Sequence, residues 1–262
     1  MPSPSPEART RVREHGFIDL AARLLPLIDD GPTRMSDAVQ LATAAAQHGT
    51  DFIVLTPKYQ DHHYQDRRAQ CESAFALLRT HLAERGLALD MALAGTCRFD
   101  ASLQQAITRN EVPWLGHFGG DRVVLIEIPR TRLPKSFDLA VAWMRRQQVR
   151  PMILGAEHNH ELAKYPERLQ QLVDQGALVE VCADSLAGGR GPFAQVSARR
   201  IVAQGLAHVL ASECQDLTAR PPWLEPGRQV AVTLVGEAAA EAMVYALPAQ
   251  IASYHFPQLT LI

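Results

Sequence analysis

The chain has 262 residues, of which 47% are hydrophobic and 21% charged, and its formal net charge is -2. That length buries a substantial core in one large domain or two small ones, and the composition excludes a disordered or fibrous chain. The nearly balanced charge excludes the strong basic field that nucleic acid or an anionic membrane surface would call for, so no nucleic-acid partner is expected.

In chain order, the opening MPSPSPEARTRVREH alternates Pro and Ser and then turns charged. It lacks the apolar core of a signal peptide, so residues 1–15 are expected to be a disordered lead-in to a single domain at 16–262. No apolar run is long enough to span a bilayer, and the four cysteines (Cys71, Cys97, Cys182, Cys214) form no CxxC pair. Both features predict a cytoplasmic protein with reduced thiols and no membrane insertion.

Near-continuous apolar runs at 17–20, 52–55, 89–95, 123–129, 151–155, 177–183 and 207–212 predict strands covered on both faces. Helical patterns lie between them. The first is expected to be capped by Ser36 and stopped by Gly49; the others cover 66–85, 136–148, 165–175 and 193–204. This alternation predicts an α/β fold, either a closed or nearly closed barrel or an open doubly wound sheet. In a barrel the chemistry sits on the loops that follow the strands.

Those loops hold several candidate groups. Asp29 and Asp30 precede Gly31 and Pro32 in an acidic turn that is expected to shape the first loop. His62 and His63 could bind metal or phosphate, or be solvated. Glu157, His158, His160 and Glu161 lie together in EHNHE, which could rebuild a mononuclear metal site or use His158 for an anion. CQDLTAR (214–220) has the C-x5-R spacing of cysteine phosphatases. It lacks glycine and places Glu213 and Asp216 around the thiol, so Cys214 is expected to be structural. GGRGP (188–192) is expected to be a helix-start loop, Arg145 and Arg146 a solvated helix face, and Trp223 part of the rim.

Six motifs together carry a resemblance: LLPLIDDGP, TPKY, LIEIP, LVDQGALVEV, DSLAGG and ASECQDLTARPP. From about residue 17 onward the chain resembles the bacterial PHP-type protein tyrosine phosphatases of capsule and exopolysaccharide loci, the CpsB, CapC and YwqE group. The resemblance implies a distorted (β/α)7 TIM-like barrel of the PHP type. It also implies a cluster of manganese-like divalent ions that activates water to hydrolyse phosphotyrosine on a partner kinase's tail, and a tendency to form homo-oligomers.

The ligands of that cluster are largely replaced. The family's first His-x-His falls at Ala21 and Arg23, its Thr-Pro-His at Thr56-Pro57-Lys58, and a Glu at Cys97. The His of its His-Pro-Glu-Arg falls at Gly155 and the Arg at His158, while its Asp-x-His falls at Glu213-Cys214-Gln215. Glu127 keeps its type, Glu213 keeps a carboxylate, and Arg220 matches a phosphate-contacting, catalytic arginine. Lys and Arg have no lone pair to offer a cation at neutral pH.

An ion-pair network is therefore expected in place of the metals, with Arg23 and Lys58 paired to Glu127 and Glu213. No cofactor is expected, and the candidate ligands for any metal are Glu127, Glu157, His158, His160 and Glu213. Arg23, Lys58, Arg98, His158 and Arg220 are the expected phosphate-binding set. These features predict a catalytically impaired, binding or regulatory pseudophosphatase. Its expected partner is a tyrosine-kinase tail or a phosphorylated ligand of polysaccharide assembly. The alternatives are an active metal-dependent phosphatase or phosphoesterase with a relocated metal site, and a structural or oligomer-forming barrel with a filled-in site.

Overall fold

The computed structural model describes residues 15–59 and 64–261. The expectations for residues 1–14 and for His62 and His63 lie outside the described residues.

Ten strands are present: β1 (Phe17–Ala22), β2 (Thr50–Leu55), β3 (Lys58–Tyr59), β4 (Asp90–Leu93), β5 (Thr96–Arg98), β6 (Gly116–Phe118), β7 (Asp121–Glu127), β8 (Val149–Leu154), β9 (Leu178–Cys182) and β10 (Val209–Ala211). They form two sheets, one ordered β1-β2-β4 and the other β10-β9-β8-β7-β5-β3, with β6 paired to β7. Every ladder is parallel except β6 with β7. An α/β fold with parallel sheets is therefore present, but among the described residues the ladders do not close into the expected barrel.

The breaks in the ladders have local causes. Pro57, which has no N–H to donate, separates β2 from β3. Gly95 separates β4 from β5, and a Cβ there would lie 2.6 Å from the rings of Pro113 and Tyr59. On the other side, β10 reaches β1 through the single bridge between Ala22 and Cys214.

Helices cover the strands: α1 (Met35–Gln47), α2 (Tyr64–Ala83), α3 (Ala101–Thr108), α4 (Phe137–Arg146), α5 (His160–Lys164), α6 (Pro166–Asp174), α7 (Ala183–Ala187), α8 (Pro192–Ala203), α9 (Glu225–Val235), α10 (Glu237–Glu241) and α11 (Leu247–Ala252). Ser36 does not cap α1. Arg34 occupies the cap, and Ser36 lies within the first turn with its Oγ donating to Asp37. Gly49 does end that helix, with φ +88°. In α4, Phe137, Val141 and Met144 are buried as the periodicity predicts, but Arg145 is not merely solvated. Its guanidinium pairs with Asp121, which Arg150 also contacts at 3.0 Å. None of the helices is long and apolar enough to cross a membrane, among the described residues.

The parallel strands divide their side chains between two apolar layers. One set, including Val124, Ile126, Ile153, Val179 and Val181, packs against helices such as α1, α4 and α8. The opposite set includes Ile18, Leu20, Val123, Leu125, Met152, Leu154, Leu178, Val209 and Ala211. It meets Ala249, Ile251 and Ala252 of α11, so the C-terminal helix packs over this inner face.

Candidate functional site

The two-residue period of the strands carries the inner face beyond its apolar layer and into polar residues. After Val123 and Leu125 comes Glu127; after Leu178 come Glu180 and Cys182; after Val209 and Ala211 comes Glu213. Glu127 and Cys182 end their strands, Glu180 lies one inward step before Cys182, and Glu213 follows β10, where side chains and loops converge. The chain leaving β8 adds Gly155 and a short turn holding Glu157 and His158.

A cavity of about 220 Å³ opens there, lined by Arg23, Asp30, Lys58, Glu127, Arg130, His158, Glu213 and Arg220, among others. Arg23 and Lys58 face it as expected, but their partner is not Glu127 or Glu213. The Lys58 ammonium contacts Asp30, and Arg23 lies 3.7 Å from the same carboxylate oxygen. Loop geometry explains the change: Asp29 accepts the Lys58 backbone N–H at 2.7 Å and so fastens the first loop beside β3, bringing Asp30 over the two cations. The Lys58 hydrogen bond and the charges of Lys58, Arg23 and Arg220 hold the Asp30 carboxyl below its ordinary pKa, against the effect of its partial burial.

Arg220 and Arg130 also line the cavity, and neither guanidinium has a salt-bridge partner among the described residues. Burial and the nearby guanidinium groups of Arg190, Arg23 and Arg130 push the Arg220 pKa down, while Glu213 opposes them. Burial lowers the pKa of His158, against the charge of Glu213. Two of the expected residues are elsewhere. Arg98 is exposed at the end of β5, and His160 packs edge-on against Phe193 at 4.8 Å. Sequence reasoning missed Asp30 and Arg130 as members of the pocket.

Below the pocket lies a layer of buried acids. Asp19, Glu157 and Glu180 are fully buried, and Glu213 is 8% exposed. Burial drives the Asp19 carboxyl up to about 6, even though Ser212 donates to it through both N–H and O–H. Burial and the charge of Glu213 likewise raise the carboxyls of Glu157 and Glu180. Glu180 accepts the Gly155 N–H at 2.7 Å and Glu157 accepts the Cys182 N–H at 3.2 Å. One oxygen of each of Glu157, Glu180 and Glu213 has no hydrogen-bond partner. The inward position of Glu180 was present in ALVEVCA as strand alternation; the run reads as uniformly buried, which hid it.

The C-x5-R segment does not form a phosphate loop. Cys214 is fully buried, and burial beside Asp19 pushes its thiol far above the ordinary range. Asp216 gathers the backbone N–H groups of Thr218, Ala219 and Arg220 onto its own carboxylate, so they are not offered to an anion. The GGRGP segment is a joint between α7 and α8, in which Arg190 folds back to pair with Asp184 at 2.8 Å.

Residues 17–253 match the sequence profile of the family described as capsular polysaccharide synthesis, CpsB/CapC. The chain belongs to the CpsB/CapC family. Among relatives, the tyrosine-protein phosphatase YwqE of Bacillus subtilis (strain 168) is 26% identical over 204 residues, covering 78% of this chain and 79% of YwqE. The tyrosine-protein phosphatase CpsB of Streptococcus pneumoniae is 20% identical over 240 residues, covering 90% of this chain and 98% of CpsB. The fold also matches a solved structure from work on B. subtilis YwqE and S. pneumoniae CpsB, described as unique metal-dependent tyrosine phosphatases. That match has a TM-score of 0.79 and 23% identity, and covers 86% of this chain and 90% of that one.

The metal cluster that the CpsB/CapC resemblance implies does not fit the residues present. Arg23 and Lys58 fill two of its positions with cations already paired to Asp30. Cys97 is fully buried and hydrogen-bonded to Tyr64, with burial pushing its thiol up to about 12. Gly155 is left-handed at φ +57°, and a Cβ there would come within 3.0 Å of Glu213 Oε1, so a ligand-bearing side chain would displace that carboxylate. Gln215 is buried, and its neutral amide supplies no charge to a cation.

Proposed function

We propose that this CpsB/CapC chain is a phosphoryl-binding pseudophosphatase: it holds a tyrosine-phosphorylated protein segment without hydrolysing it. The observation that carries this reading is that Lys58 and Arg23, at positions where the family resemblance implies metal ligands, both meet the Asp30 carboxylate. Hydrolysis by the family's route needs a hydroxide-generating metal cluster, and cationic side chains cannot coordinate one.

Binding asks for less. Arg220 and Arg130, without a salt-bridge partner among the described residues, bring guanidinium groups to the cavity, and Arg23 and Lys58 are only partly neutralised by one shared carboxylate. Planar guanidinium groups match the oxygens of a phosphoryl group, and each charge-assisted hydrogen bond is worth about 1.5–3 kcal/mol. The named activities of YwqE and CpsB make tyrosine-phosphorylated protein the natural class of ligand. A kinase tail in the cytoplasm, serving polysaccharide assembly, is the partner this reading favours.

Calorimetric titration with a phosphotyrosine peptide and its unphosphorylated twin tests the proposal. The phosphorylated form is expected to bind at least about tenfold more tightly, one charge-assisted contact's worth. Equal affinities, or no binding of either, would reject it.

A further inference from the structure

Beneath the pocket, one carboxylate oxygen each from Glu157 and Glu213 and the Cys182 sulfur lie within 4.8 Å of one another. Three different segments bring them there: the turn after β8, the end of β9 and the residues following β10. Unpartnered buried oxygens mark the spot as more than a crowd of acids. Glu157 is fully buried, yet its Oε2 has no hydrogen-bond partner; the same holds for Glu180 Oε1 on the same inner face. Leaving a buried polar oxygen unpaired is costly, and a cation between the oxygens removes that cost.

Glu213 supplies a third unpaired oxygen and lines the cavity above, which gives an ion a way in. It also has φ +48°, an uncommon conformation for a residue with a side chain, which is found where the surrounding structure dictates direction. Its N–H bond to the Ala21 carbonyl at 2.8 Å fixes that geometry.

We propose that Glu157, Cys182 and Glu213 form a mononuclear site for a zinc-class ion. The donor set decides the metal. A thiolate with two carboxylates suits zinc, whereas manganese, magnesium and calcium favour oxygen donors. The site uses none of Arg23, Lys58 and Asp30, although its Glu213 also lines the phosphoryl pocket, so metal binding is read without phosphopeptide present. Loss of one leaves the other testable.

Cobalt(II) is the probe, because a cobalt–thiolate bond gives a near-ultraviolet charge-transfer band that carboxylates alone do not. The full chain, stripped with chelator, is titrated with cobalt. One equivalent is expected to produce the band, and zinc is expected to abolish it by displacement. Cys182→Ser is expected to lose the band, while Cys71→Ser, whose sulfur lies elsewhere in the core, keeps it. Should Cys182→Ser fail to fold, Glu157→Gln takes its place, with a loss of cobalt affinity of at least tenfold expected. In the unaltered chain, zinc is expected to raise the melting temperature and equimolar manganese to leave it unchanged. Absence of the band at one equivalent, its survival in Cys182→Ser, unchanged cobalt affinity in Glu157→Gln, or a manganese effect equal to that of zinc would each overturn the proposal.

Discussion

Lys58 and Asp30 form an ion pair at the mouth of the pocket, joining the end of the β2–β3 segment to the loop that follows β1. Arg23 lies 3.7 Å from the same Asp30 oxygen, so one carboxylate serves two cations. The charge balance of the pocket turns on this contact: Asp30 offsets part of the field that would otherwise meet an incoming phosphoryl group.

Asp30→Asn should therefore strengthen phosphopeptide binding. Asp30 is about half exposed, so solvent screens the interaction and the gain is held to about 1 kcal/mol, roughly fivefold in affinity. Titration of the variant measures it. A weaker complex would mean that Asp30 acts chiefly by positioning Arg23 and Lys58.

Arg220→Ala should weaken the same complex by about tenfold or more, because it removes a guanidinium that lines the pocket and has no salt-bridge partner among the described residues. Arg98→Ala serves as the comparison, since Arg98 is exposed and outside the pocket. Equal losses in the two variants would point to a diffuse electrostatic effect and not to a phosphoryl contact.

Much of this was legible in the sequence. Arg23, Lys58, His158, Glu213 and Arg220 follow strands and converge because parallel strands deliver their following loops to one end of the fold. Arg98 and His160 read as equally good candidates, but Arg98 is exposed outside the pocket and His160 packs against Phe193. The partner of Lys58 was not legible, because it depends on Asp29 catching the Lys58 N–H across 29 positions. The helices beyond residue 204 have no counterpart among the expected elements, and their segment carries Pro226, Gly227, Gly236 and Pro248. In the structure Pro226 sits in the first turn of α9, where no N–H is needed. Gly227 lets that helix approach Ala183, whose carbonyl would lie 2.5 Å from an added Cβ.

Asp19 gives the fold a pH dependence of definite sign. Its folded pKa of about 6 lies above its ordinary value of 3.8, so the folded state holds the proton more tightly than the unfolded state. This contribution to stability is fully present below pH 3.8 and is lost as pH rises through about 6. A shift of that size corresponds to about 3 kcal/mol. Denaturant melts of the unaltered chain and of Asp19→Asn, compared between pH 4 and 7, should show a smaller fall in stability with rising pH for the variant. Parallel curves would contradict the assignment.

Gly155→Ala should lower stability by about 1–3 kcal/mol. The residue is left-handed at φ +57°, and its new Cβ would meet Glu213 Oε1 at 3.0 Å and His158 Cδ2 at 3.1 Å. Chemical denaturation checks the loss. An unchanged midpoint would show that the turn after β8 relaxes freely and that Glu213 is not held against it.

The central claim is binding without turnover, and phosphate release in the presence of manganese tests it most directly. Phosphotyrosine peptide is incubated with the full chain and added manganese, and the complex and free phosphate are followed in the same sample. The predicted result is a stable complex with phosphate release no faster than in buffer. Manganese-stimulated release that disappears in Glu127→Gln would contradict it, and would show that Glu127 serves a working metal centre despite Arg23 and Lys58.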